Sequence, residues 1–392
     1  MGDDITPLRI EHLPVARRVL RVAVVADRFR PDDLNDAAGA AFRIGALARR
    51  DHQIHLVRPG ADPQASVPGD PARAVPARRG LGAARPGALV LGSPAKRHLV
   101  QLWTVRRPDV VHVLVEEPLG WIALQVARKL RLPVVTEFRV QAPPGGRPAR
   151  LSWPGKSALA ARRKFHNQGL ATIVPTPSLA RGLSASGFRN VHLLPRGVDT
   201  VRFQRGPRSA ELRAQWGAAD TDAVVLLAGD ATAGVAAGVV EAVRRRNART
   251  RFAGVTLPDG LAAPRDTDTG PDPACRAAEA RRALEMRSAD VLLVTGHAEA
   301  DAAVVLEAMA SGLPVVAFGG TPAGEVVEHE RSGLLAGWGD PAELTAMVAE
   351  LTADAARRQA LGALARQQAV SQDWELITGR LEALLLTAAG LP

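Results

Sequence analysis

The feature that most constrains this chain is a series of short runs that are apolar at most consecutive positions, not at alternate ones. Val22–Ala26, Val110–Val113, Val134–Phe138, Thr172–Val174 and Val191–Leu194 fall in the first half; Val224–Ala228, Asp290–Val294 and Pro314–Ala317 fall in the second. A strand with apolar side chains on both faces must be covered on both faces, which is the condition of a parallel sheet between two layers of helices. The intervening segments read as those helices: Ala37–Arg49, Gly120–Leu130, Ser157–Leu170, Ser178–Ser186, Val235–Arg246, Ala303–Ser311, Pro341–Leu351, Ala355–Val370 and Trp374–Leu386. His55–Val57 and Ala88–Leu91 read as further strands. Pro59–Gly87 and Pro258–Pro273, rich in Pro, Gly and Ala or Asp, read as irregular loops.

The pattern restarts after Asp199, so the expected architecture is α/β, two doubly wound Rossmann-like domains facing an interdomain cleft. The expected bounds are 18–200 and 201–370, with a terminal helical segment at 371–392 packing back toward the first domain. A chain of 392 residues with 46% hydrophobic residues has the material for two cores. No apolar run reaches the roughly 18 residues of a membrane span, and the N-terminus has no signal-type apolar core. Cys275 is the single cysteine, which fits a reducing cytoplasm and excludes an intrachain disulfide framework. The nine histidines have no metal-ligand spacing. Neither a metal nor a cofactor is expected.

The net charge of +10 rests almost entirely on arginine; Lys96, Lys129, Lys156 and Lys164 are the lysines among 50 basic residues, a bias that base composition alone produces. Its distribution is more informative. Between Phe138 and Val198 there is no Asp or Glu, while Arg139, Arg147, Arg150, Lys156, Arg162, Arg163, Lys164, Arg181, Arg189 and Arg196 all lie there. Within it, Arg150 to Phe165 mixes cations with Trp153 and apolar residues, the composition of an interfacial helix on anionic lipid. The expected partner for 139–165 is therefore an anionic lipid or membrane surface, with a solvated basic face as the plain alternative. No nucleic-acid motif accompanies the charge, so no nucleic acid is expected.

The most specific motif is Glu299 to Gly312, EADAAVVLEAMASG. Its spacing places the first glutamate in the loop before a helix and the second inside it, about 12 Å apart along the axis. Two such carboxylates can grip different parts of one elongated ligand, with the helix N-terminus between them facing an anion. An ordinary amphipathic helix with Val304, Val305, Ala308 and Met309 in the core explains the same pattern.

The segment Ser288–Phe318, SADVLLVTGHAEADAAVVLEAMASGLPVVAF, resembles the signature of glycosyltransferase family 4. Further similarity runs through Arg21–Asn35, Arg106–Phe138, Arg162–Phe203 and Gly333–Val348, closest to bacterial mannosyl- and lipid-sugar-transferring members. The resemblance implies a GT-B fold and retaining transfer of a hexose, mannose-like, from a GDP- or UDP-sugar to a lipid or saccharide acceptor. It implies an acceptor-side first domain and a nucleotide-sugar second domain. It assigns Glu307 to the nucleotide ribose and Glu299 to the transferred sugar. Asp301 and Ala302 take the place of the loop whose amides bind sugar and diphosphate, Gly229 begins the second domain's phosphate loop, and Arg196 lies by the interdomain turn. Arg139 stands where the family has a histidine beside the reacting sugar, and is the second catalytic candidate. The implied location is cytoplasmic, peripheral at the inner face of a membrane.

Several family positions are substituted. Ala300, Asp301 and Ala302 replace a Thr-Phe-Gly run, losing a glycine's backbone freedom. Asp230 stands for the arginine after Gly229, Val235 lies near the lysine position, and no cation occurs before Arg244. Asn35, Asp36 and Ala37 replace Asn-Gly-Val. At an effective dielectric near 20, one close charge pair is worth roughly 4 kcal/mol, so an acid beside a diphosphate is costly. Arg139, Arg196 and Arg28 are the substitute cations. A second reading follows: a catalytically inactive GT-B paralogue that binds or regulates a partner. Among smaller signals, Gly197 reads as permitting a tight turn, His166 and Asn167 as packing or capping a helix end, and His112 as a satisfied core histidine; His297, just before the first glutamate, is a candidate to line the cleft, with no site role as the plainer reading.

Overall fold

The structure, a computed structural model, describes residues 18–26, 37–60, 73–76, 93–114, 116–138, 156–228, 234–255, 273–296 and 299–391. It contains two parallel sheets. The first takes β1 (Arg21–Val25), β2 (Gln53–Gly60), β3 (Arg73–Pro76), β4 (Val110–Val113), β5 (Val134–Glu137), β6 (Ala171–Val174) and β7 (Val191–Leu193) in the order β3-β2-β1-β4-β5-β6-β7. The second takes β8 (Ala223–Ala228), β9 (Thr250–Gly254), β10 (Val291–Val294), β11 (Val315–Phe318) and β12 (Gly333–Ala336) in the order β12-β11-β10-β8-β9. Seven of the eight apolar runs are central strands: β1, β4, β5, β6, β8, β10 and β11 are buried along nearly their whole length, whereas β7 lies at the sheet edge and is largely exposed.

The first sheet is accompanied by α1 (Ala37–Arg49), α2 (Ser93–Val105), α3 (Pro118–Lys129), α4 (Lys156–His166) and α5 (Pro177–Ala185). The second carries α6 (Ala210–Gln215), α7 (Gly234–Arg246), α8 (Pro273–Ser288), α9 (Glu299–Ala310), α10 (Pro322–Val326), α11 (Pro341–Ala353) and α12 (Ala355–Val370). Helix starts have a common local cause. Thr176, Thr321 and Asp340 accept hydrogen bonds from first-turn amides and are each followed by proline at the first helical position.

The last helix, α13 (Trp374–Ala388), lies against the first domain. Its Ile377, Leu381 and Leu385 are fully buried in one cluster with Val22, Val24 and Leu47, each contributing about 2 kcal/mol of apolar burial. Asp373 caps α13, and Trp374 stacks on Phe42 of α1 at 5.0 Å. The interdomain turn is tied to this corner: Val198 N–H donates to Gln372 O (3.0 Å), and Trp374 N–H donates to Val198 O (3.1 Å). Gly197 is required here for space. Its φ is not among the positive values, but a β-carbon on it would lie 2.3 Å from Cε3 of Trp374. The tight element is thus the approach of the indole, not the backbone dihedral.

Other sequence expectations also change. Pro59–Gly87 is not irregular throughout, because β2 continues to Gly60 and β3 occupies Arg73–Pro76 at the sheet edge, where a proline is tolerated. The expected strand at Ala88–Leu91 and most of the 258–273 loop lie outside the described residues. The sequence expectations do not include α2, α6, α8, α10, β9 and β12: α6, α10, β9 and β12 are short and α8 has little apolar periodicity, whereas α2 does carry an amphipathic pattern.

Candidate functional site

Each sheet reverses its strand order once, between β1 and β4 in the first and between β8 and β10 in the second. Ligands of doubly wound sheets bind beyond the carboxyl ends of the strands at such reversals. The segment after β10 leads into α9, which begins at Glu299 itself. The first glutamate is therefore the opening residue of the helix, not part of a loop before it. Eight residues separate it from Glu307, about two and a quarter turns. The backbone of Glu299 and Asp301 lies in the first turns of α9; their side chains are outside the described residues. Ala302 is buried and, with Leu306, faces a cavity of about 330 Å3.

Glu307 is engaged from the neighbouring helix. Arg282 of α8 grips it with both Nε and Nη2, the latter donating to Oε1 at 2.9 Å. Arg282 is 3% exposed and sits 5.7 Å over the ring of Phe203. Burial pushes the Glu307 carboxyl above the usual carboxylate range, against the opposing pull of Arg282 and, more weakly, Arg202. The sequence reading missed Arg282. Its one visible signal was an arginine in a helix leading to a buried strand.

The cavity next to α9 is shared by both domains. Pro175, Thr176, Leu193 and Arg196 line it from the first, and Ala302, Leu306, Pro322 and Glu325 from the second. Arg196 is half-buried there. Ser178 of α5 donates a hydrogen bond across the cleft to Glu325 of α10. The structure thus brings Ala302 and Arg196 to one cavity wall. Gly229, Asp230, Arg139, Arg28 and His297 lie outside the described residues.

Two ionic clusters, one half-buried and one buried, sit at the carboxyl ends of β4 and β5, and the sequence points to neither. In one, Arg162 of α4 grips Glu116 with both Nε and Nη2, and His166 approaches Glu116 Oε1 through Nε2 (3.0 Å) and Thr136 Oγ1 through Nδ1 (2.8 Å). Burial alone would raise the Glu116 carboxyl, but the hydrogen bonds and charges of His166 and Arg162 outweigh it and hold the carboxyl below its usual range. In the other, Arg43 of α1 donates to both oxygens of Glu137 (2.9 and 3.1 Å). His112 lies beside it with Nε2 3.6 Å from Glu137 Oε2, and neither ring nitrogen makes a hydrogen bond. His112 is a buried core histidine but not a satisfied one. His166 packs between Phe138, Phe165 and Phe188, and Asn167 ties the helix end to Gly187 O and Arg189 N–H.

The basic helix is less one-sided than its sequence. Arg162 turns inward, its guanidinium 3.8 Å from the centre of the Phe138 ring, and Phe165 is buried against Trp121. Arg163 and Lys164 remain exposed, with Arg163 also donating to Ser186 O. Trp153 lies outside the described residues. No described helix is long and apolar enough to cross a membrane, and no metal-ligating cluster occurs among the described residues.

Comparison with known proteins accounts for this layout. The model of glycosyltransferase family 4 matches residues 44–202, and that of glycosyl transferases group 1 matches residues 280–368. The chain is 29% identical over 379 residues to a GDP-mannose-dependent alpha-mannosyltransferase of Mycobacterium tuberculosis, covering 92% of this chain and 95% of that one. A D-inositol 3-phosphate glycosyltransferase of Geodermatophilus obscurus is 33% identical over 222 residues, 51% of this chain and 48% of that one. Among solved structures, Anabaena HepE in complex with UDP and glucose superposes with a TM-score of 0.61 at 16% identity, over 93% of this chain and 99% of that one. WaaG, a glycosyltransferase of lipopolysaccharide biosynthesis, gives 0.58 at 16% identity over the same shares. With two family models in chain order and a two-sheet fold shared along nearly its whole length, the chain belongs to the GT-B glycosyltransferases, with the family 4 domain first and the group 1 domain second.

Proposed function

We propose that this protein transfers a hexose from a nucleotide sugar, with GDP-mannose the first donor to test, to a lipid or saccharide acceptor with retention of configuration. The observation that carries the reading is α9: Glu299 and Glu307 stand on one helix that starts beyond β10, at the reversal of the second sheet and beside the interdomain cavity. The relatives that span most of the chain in Mycobacterium tuberculosis and Mycolicibacterium smegmatis are both named for GDP-mannose. In this reading, residues 18–200 form the acceptor side, 201–370 the nucleotide-sugar side, and 371–392 the strap between them. Glu307 holds the ribose, Glu299 the sugar, and the amides around Asp301 and Ala302 the diphosphate. The acceptor attacks on the face from which the diphosphate departs.

The departing charge needs cations, and the family's own pair is replaced by Asp230 and Val235. Arg196, already on the cavity wall, and Arg139 are the substitutes this reading requires. Glu299→Gln then abolishes transfer while leaving donor binding largely intact. The assay incubates the protein with GDP-mannose or UDP-glucose and a lipid or saccharide acceptor, follows release of the nucleoside diphosphate, and reads the product anomer by NMR. An inverted product, or no release with any donor that binds, contradicts the reading; the second outcome supports an inactive paralogue that retains the scaffold.

A membrane surface suits a lipid acceptor. Arg163 and Lys164 are the described cations of 139–165 that face outward. Binding to anionic vesicles over neutral ones tests it, and equal binding to both counts against it.

A further inference from the structure

We propose that Arg282 is a positioning residue of the donor site: its guanidinium fork fixes the rotamer of Glu307 and places a counter-charge beside its carboxylate form, so that the carboxylate is held ready to accept hydrogen bonds from the hydroxyls of a nucleotide's ribose. The inference rests on the assignment of Glu307 to the donor and goes beyond it, because Arg282 lies on a different helix and outside the Glu299–Gly312 motif.

The geometry is specific. The fork of Arg282 uses one direction on each Glu307 oxygen, leaving one further lone pair on each for a ligand. Arg282 is 97% buried, and its remaining nitrogen, Nη1, is buried without a hydrogen-bond partner. A fold selected for stability alone gains little from this arrangement. An apolar side chain of similar volume is often neutral or favourable where a buried ion pair stands, and an orphaned guanidinium N–H is a cost. The arginine therefore earns its place through what it does to Glu307.

The rest of the neighbourhood is already committed. Arg202 pairs with Glu279 and Asp199, and Arg281 with Glu285. Arg366 of α12 donates to the carbonyl oxygens of Ala310 and Phe203. Among the described residues, Arg282 is thus the cation in direct contact with the Glu307 carboxylate. Without it, burial meets less opposition and moves Glu307 further toward the neutral acid, which has lost one acceptor position and carries a proton where the ribose must donate.

The experiment measures GDP and GDP-mannose affinity by calorimetry across a pH series for the wild type, Arg282→Met, Arg282→Lys and Glu307→Gln. Arg282→Met weakens binding by about 10- to 100-fold at neutral pH, the scale of a charge-assisted hydrogen bond, and recovers affinity as the pH rises and Glu307 ionises again. Arg282→Lys retains a cation and keeps the wild-type pH profile with a smaller loss. If Arg282→Met fails to fold, the lysine variant decides: a loss below about 10-fold with the wild-type profile supports the proposal, and a loss of about 10-fold or more that is the same at every pH overturns it. Wild-type affinity in Arg282→Met, or a loss equal at every pH, overturns the positioning role while a loss in Glu307→Gln keeps the donor reading intact. Glu307→Gln binding as the wild type, or no binding by the wild type, removes the donor reading and this inference with it.

Discussion

Replacing Gly197 by alanine adds one methyl group where the interdomain turn meets the last helix. The new carbon falls 2.3 and 2.5 Å from Cε3 and Cδ2 of Trp374, against ordinary contacts of 3.4 to 4 Å, so the indole must retreat by about an ångström. It has little freedom to do so. One side stacks on Phe42 at an interplanar angle of 27°, and its own amide is bonded to Val198 O. Overpacking of this kind costs about 1–3 kcal/mol. The alanine backbone adds no strain, because φ at Gly197 is not positive, and restricting the unfolded chain returns about 0.4–1 kcal/mol. The net expectation is a loss of about 1–2 kcal/mol, which lowers the melting temperature by several degrees, at about 2–4 °C per kcal/mol for a large domain. Urea unfolding of Gly197→Ala, Trp374→Leu and the double variant reads it as a cycle. Once the indole is gone, the alanine is neutral or stabilising. A single Gly197→Ala variant as stable as the wild type refutes the claim that the turn is built around the indole.

Other consequences are accessible to the same measurements. Burial alone would raise the Glu382 carboxyl, but its contacts with Arg50 and His52 prevail and depress it. Such a group stabilises the fold above its unfolded-state value and loses that contribution as pH falls through the lower, folded value. Stability therefore falls as the pH drops below about 5, through the unfolded carboxylate range and on through the lower folded value, and Glu382→Gln flattens the slope; an unchanged slope in the variant contradicts this. Glu116→Gln leaves Arg162 without its counterion and weakens the contact to His166, and lowers stability by about 1–3 kcal/mol. A urea midpoint equal to the wild type's contradicts a stabilising role for that cluster.

The parts legible in the sequence are those carried by repeated local patterns. The mostly apolar runs point to parallel strands, buried in every case but the edge strand β7, and their restart after Asp199 points to a second sheet. The helix holding Glu299 and Glu307 is legible as a motif, but its start is not: the sequence places Glu299 before a helix that opens at Ala303, and the chain begins α9 at Glu299. The polar interior was hidden. Arg43 and Glu137 are 94 residues apart, and Arg162 and Glu116 are 46 apart, so no spacing rule joins them. The absence of acids between Phe138 and Val198 suggested a one-signed surface; Glu116, from outside that stretch, instead neutralises part of it from within. Gly197 was read as a conformational glycine because its indole neighbour comes from the far end of the chain.

The central claim is that the cleft still binds a nucleotide sugar through Glu307. The direct test is thermal unfolding with GDP, UDP, ADP, GDP-mannose, UDP-glucose and UDP-N-acetylglucosamine in turn, for the wild type and Glu307→Ala. A ligand at about 100 times its Kd adds roughly 2.7 kcal/mol, a shift of several degrees. The account predicts such a shift with one base, GDP and GDP-mannose the first expectation, and its loss in Glu307→Ala. No shift with any nucleotide, or the same shift in the variant, contradicts it.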